Sequence, residues 1–145
     1  MTRGIVAAIA ALLMIALPAA AATCHKSTAT EPELCPLHLA PITAVHIREN
    51  AAVALAEADD PVNCAEFHVD AAEVRRFFAH AEATQERAAR PVVGWSPCYA
   101  SGSLKFADGR WALWSIHQYK SGSLAVVGGD RYFVYCPECA FRPFE

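Results

Sequence analysis

Methionine is almost missing from this chain: its two copies, Met1 and Met14, both fall in the first 22 residues. The remainder therefore lacks the thioether ligands typical of copper(I) handling. An excess of positive charge is missing too, with 12 lysines and arginines against 15 acids and a net charge of −3. Nucleic acid or an anionic membrane surface would call for a basic face, so neither is an expected partner. Long apolar runs are scarce. The longest, Ile5 to Leu17, has thirteen residues, whereas a bilayer-spanning helix needs about 20. Also absent are G-x-S-x-G, H-E-x-x-H and a phosphate-cradling glycine loop. No catalytic residue is assigned, and no cofactor or metal is expected.

What stands at the N-terminus has the layout of a secretory signal. Arg3 supplies the positive start, Pro18 ends the apolar run, and Ala20-Ala21-Ala22 offers small residues at the −3 and −1 positions. The sequence predicts a signal over 1–22 and a periplasmic or secreted protein starting at Thr23, with no membrane insertion once the signal is gone. Lipid attachment at Cys24 fits poorly, since Ala21-Ala22-Thr23-Cys24 has neither the Leu nor the small preceding residue it requires. Six cysteines then remain: Cys24, Cys35, Cys64, Cys98, Cys136 and Cys139. An even set in an exported chain reads as a disulfide framework.

Beyond the signal, residues 23–41 contain three prolines and read as an irregular arm; 42–145 read as a single domain. Ile42 to Ile47 is rich in β-branched residues and predicts a strand. The Ala-rich stretch after Asn50 reads as a short helix reaching Ala58, broken by Asp59-Asp60-Pro61. The clearest helix starts at Asp70, with Glu73 completing a capping box. Val74, Phe77, Phe78 and Ala81 form its apolar stripe.

After Cys98 the chain repeats itself. Ser101-Gly-Ser-Leu through Trp111 resembles Ser121-Gly-Ser-Leu through Tyr132, and each copy reads as strand, tight turn, strand. Asp108-Gly109 and Gly128-Gly129 tolerate the positive φ of hairpin turns. Strands are expected at about 102–106, 110–118, 122–127 and 131–136. The fold class expected is α+β: one main amphipathic helix packed on a twisted, four- to five-stranded antiparallel meander, disulfide-stapled.

Cys136-Pro-Glu-Cys139 lacks the following helix of a redox C-x-x-C and the histidine of a haem site. Stapling is the reading that remains. Cys24-His25 and Cys35-x-x-His38 offer a zinc or copper ligand set, against which stands a simple Cys24–Cys35 bridge. For the domain, sheet curl would join Cys98 to Cys136 and leave Cys64 for Cys139. The rival pairing is Cys136–Cys139 with Cys64–Cys98. Cys98 as a nucleophile with His117 as base is a remote reading. Trp111, Trp114, Tyr119 and Tyr132 are the partner-binding candidates, because large rings dominate protein interfaces. Trp114 leads, on the expectation that it opposes a buried Trp111/Leu113 set. The function expected is a small non-enzymatic binder, of inhibitor or immunity type, with another envelope or secreted protein as partner. A periplasmic metal-binding protein and a thiol-redox protein are the alternatives.

Overall fold

Strict alternation of buried and open side chains builds the centre of the sheet. In β4 (Cys98–Phe106) the residues Ala100, Leu104 and Phe106 are buried; in β5 (Trp111–His117) Ala112, Trp114 and Ile116; in β6 (Ser121–Val126) Leu124 and Val126. β7 (Arg131–Tyr135) adds Val134. Gly109 (φ 87°) and Gly128 (φ 73°) close the two hairpins, at positions where a Cβ is strained. The computed structural model that shows this describes residues 23–26, 28–54, 62–90, 93–94 and 96–144. The expected signal over 1–22 and the end of the Ala-rich stretch lie outside the described residues.

The meander is the middle of a larger sheet. β1 (Cys35–Pro36) pairs with β3 (Glu82–Thr84), β3 with β7, and the long β2 (Ile42–Val53) with β4, all antiparallel. The seven strands run in the order β1-β3-β7-β6-β5-β4-β2. The α+β expectation of a helix on four or five strands is thereby overturned. Among the described residues the fold is mostly a seven-stranded antiparallel sheet, with 13% helix and one helix of seven or more residues.

Two local causes account for the difference. Ala51, Ala52 and Val53, expected to be helical, continue β2 through a bulge at which Ala51 takes φ 51°. Asn50 anchors that continuation instead of opening a helix: its side chain donates to the Val69 carbonyl at 2.7 Å and accepts from the Val69 amide at 3.0 Å. The proline-rich arm, expected to be irregular, adds the edge strand β1 and a bridge between His25 and Leu34.

α1 (Ala71–His80) begins as its sequence predicts. Asp70 accepts from the amides of Ala72 and Glu73, and Glu73 reaches back to the Asp70 amide at 2.7 Å. Its stripe of Val74, Phe77 and Phe78 is buried in the core with Trp114, Ile116, Leu104 and Leu124 from one face of the sheet. Each buried phenyl ring stabilises by roughly 1.5–3 kcal/mol. The C-terminal tail closes the same core. Phe144 packs on Phe77 (5.4 Å between centroids) and Phe67 (5.8 Å), while the Arg76 guanidinium lies 4.2 Å over Phe141. A second, four-residue helix, α2 (Glu86–Ala89), follows β3.

Three disulfides staple this arrangement: Cys24–Cys35, Cys64–Cys98 and Cys136–Cys139. Such a set is consistent with an extracellular or secreted protein. The expected Cys98–Cys136 and Cys64–Cys139 bonds are corrected. Cys98 starts β4 and Cys136 follows β7, three strand positions away. At about 4.8 Å per step that is roughly 14 Å, beyond the reach of a disulfide. Cys136 instead turns through Pro137-Glu138 to Cys139, with 5.4 Å between Cα atoms, and Cys64 reaches Cys98 at 5.2 Å. Among the described residues, no helix is long and apolar enough to cross a membrane.

Candidate binding site on the outer face of the sheet

The sheet face turned away from α1 carries two distinct surfaces. At the end of the strands that carries the Gly109 and Gly128 turns it is aromatic and apolar. Trp111 is 39% exposed and Leu113 61%, both on β5. The Trp111 indole is held from two sides. It stacks on His46 of β2 (centroids 5.8 Å apart, planes 24° apart), and the Lys105 ammonium of β4 lies 5.6 Å over its ring. Val127, 66% exposed, follows in the β6–β7 turn and donates its amide to the Trp111 carbonyl.

Farther along the strands, past Leu113, the same face becomes polar. Ser101, Ser115 and Ser123 stand in register across β4, β5 and β6, and Phe133 of β7 and Thr84 of β3 continue the row. Ser115 and Ser123 share a hydrogen bond of 2.9 Å; Ser101 donates to Glu49 of β2 at 2.6 Å. That bond is the first cause holding the Glu49 carboxyl below the usual carboxylate range. Over the row from Ser115 to Thr84 hang Glu86 and Arg90 of the α2 segment, then Val93, Gly94 and Ser96. They leave a cleft of about 570 Å³, within the size range of small-molecule sites.

His117 closes one end of the cleft. Burial pushes its pKa below the ordinary value, opposed by the hydrogen bond it gives to the Ser96 backbone. Its ring lies beside Tyr99, with centroids 5.9 Å apart. The Ser96 hydroxyl is already committed, donating to Gln118 at 2.7 Å and accepting from the Cys98 amide at 3.1 Å.

A comparison of the chain with family models, curated proteins and solved structures gives no match. The residues themselves carry the functional argument.

The structure separates the four aromatic candidates. Trp111 is on the outer face. Trp114 is not: it is 3% exposed and packs against Phe78 of α1, so its expected place on the contact face is corrected. Strand phase is the reason. Ser115 and His117 share the side of Trp111 and Leu113, which leaves Trp114 and Ile116 for the core. Tyr119 sits in the turn after β5, and Tyr132 is half-buried with its hydroxyl donating to Asp130 at 3.3 Å.

The chemistry weighed for the cysteines and histidines is also placed. Donor atoms of Cys24, Glu33 and Cys35 lie within 4.8 Å of one another, but the two sulfurs are bonded together. A metal there would first need that bond reduced. His25 turns instead to Glu82, at 2.9 Å. Cys98 is bridged to Cys64, so it offers no thiolate to pair with His117. Sequence reasoning missed Leu113, Ser115, Ser123, Arg131 and Phe133 as surface groups. The signal that finds them is the in-phase placement of serine and histidine along β5.

Proposed function

We propose that this chain is an exported, non-enzymatic binding protein whose partner is another envelope or secreted protein, in the manner of an inhibitor or immunity protein. Trp111 and Leu113 are the proposed contact. The observation carrying the reading is an exposed tryptophan flanked by His46 and Lys105, beside a leucine that is 61% exposed. A pre-positioned ring loses little rotamer freedom on binding, and the apolar area it buries stabilises the complex. Three disulfides and the N-terminal signal pattern support export, and the periplasm is the proposed destination.

The test is affinity capture from the native envelope fraction with wild type and the Trp111→Ala/Leu113→Ser double variant. A specific protein retained by wild type and lost by the variant, at unchanged melting temperature, is the expected result. Equal retention by both would exclude this surface.

A further inference from the structure

We propose that the serine-lined cleft between α2 and the outer face of the sheet binds a small acidic saccharide, one or two sugar rings carrying a carboxylate. Such a ligand asks for four things: hydrogen-bond donors and acceptors side by side, an apolar platform for the ring face, a cation, and room. The cleft supplies each from residues apart from the Trp111 surface.

The floor is amphoteric. Within the Ser115–Ser123 pair only one hydroxyl donates to the other, so the second keeps its hydrogen and both keep lone pairs. Ser121 adds another hydroxyl to the lining. Half-buried His117 also lines the cleft; burial disfavours its charged form, and a neutral imidazole brings one donor and one acceptor nitrogen. Sugar hydroxyls both give and take hydrogen bonds and match this mixture. A purely apolar ligand would strip water from the serines and return nothing.

Phe133 stands in the same cross-strand row, next to Ser123, and offers its half-buried ring as the platform. The cation is Arg131, at the start of β7. Among the described residues the ion pairs are His25–Glu82, Glu86–Arg90 and Asp108–Arg110; Arg131 belongs to none of them. Glu86 and Arg90 neutralise each other at 2.6 Å on the opposite wall. With His117 neutral, the cleft has one unbalanced positive charge in a chain of net charge −3. A single guanidinium suits one carboxylate and falls short of a multiply charged phosphate chain.

The test is a titration of the full exported protein, amide-15N labelled, with methyl glucuronide, methyl glucoside and acetate as separate probes. Saturable shifts centred on Ser115, His117, Ser123 and Phe133 are expected with the glucuronide. The glucoside should bind about tenfold more weakly, for want of one charge-assisted hydrogen bond, and acetate should leave these amides unmoved. Arg131→Gln, at an exposed position, should erase the difference between the two sugars and leave folding intact. Ser123→Ala should weaken both sugars alike. The proposal is overturned if neither sugar gives saturable shifts at the cleft, if the two bind equally to wild type, or if Arg131→Gln leaves the preference standing. Loss of binding in Trp111→Ala/Leu113→Ser, with the cleft residues unchanged, would also overturn it, because the sugar signal would then belong to the other surface.

Discussion

The indole of Trp114 meets the Phe78 ring edge-on, with centroids 6.5 Å apart and planes 73° apart, and its Nε1 is buried with no hydrogen-bond partner among the described residues. A tryptophan so placed serves packing. Trp114→Ala should cost about 3–5 kcal/mol of stability. Trp114→Phe should cost clearly less, because it removes an unpaired buried donor together with the lost volume. Urea unfolding measures both, and a loss below about 1 kcal/mol for the alanine variant would contradict the core placement.

Gly102 permits the close approach of β2 to β4. A Cβ there would run into the His46 carbonyl and lie 3.0 Å from the Trp114 ring. Gly102→Ala should therefore push two paired strands apart. Gly109→Ala meets nothing within 4 Å and bears only the strain of its φ of 87°, about 1 kcal/mol. Thermal melts of the two variants should rank Gly102→Ala as clearly the more damaging. The reverse order would mean that β2 and β4 are not paired as described.

The disulfides differ in the length of chain they constrain. Cys64–Cys98 spans a separation of 34 residues and Cys136–Cys139 one of 3. In the chain-entropy model the first contributes about 4 kcal/mol and the second about 2. Paired Cys→Ala variants at each bridge should reproduce that order in urea. Non-reducing peptide mapping should recover Cys136 linked to Cys139, and a Cys98–Cys136 peptide would refute the pairing.

His117 should make stability depend on pH. Folded His117 protonates at lower pH than an exposed histidine because burial disfavours its charged form. Below the ordinary value of 6.5 the unfolded chain therefore binds more protons, and stability falls until the folded pKa is passed. Between about pH 7.5 and about pH 5, wild type should lose more melting temperature than His117→Gln does. A larger loss in the variant would reverse the sign and exclude a pKa lowered by burial.

Much of the centre of this fold is legible in sequence, and its periphery is not. The capping box at Asp70 and Glu73, the Val74/Phe77/Phe78 stripe and the glycine turns at 109 and 128 are local signals, and each falls where local chemistry puts it. Cross-strand pairing is not local. Ala51 to Val53 follow β4 in the sheet despite helical composition, because Tyr99 and Cys98 lie opposite Ala52 and Val53 to receive them. β1 and β3, of two and three residues, are too short for any periodicity to register. The face of β5 could be read from phase, since burying Trp111 and Leu113 would have buried Ser115 and His117 with them.

The most direct test of the account is site-specific photo-cross-linking in the native cell, with a photoreactive residue at position 113 or at position 72. Leu113 lies on the outer face of β5 and Ala72 on the exposed side of α1. The account expects a discrete protein adduct from position 113, lost when Trp111→Ala is added, and no adduct from position 72. No adduct at 113, or the same adducts from both positions, would contradict it.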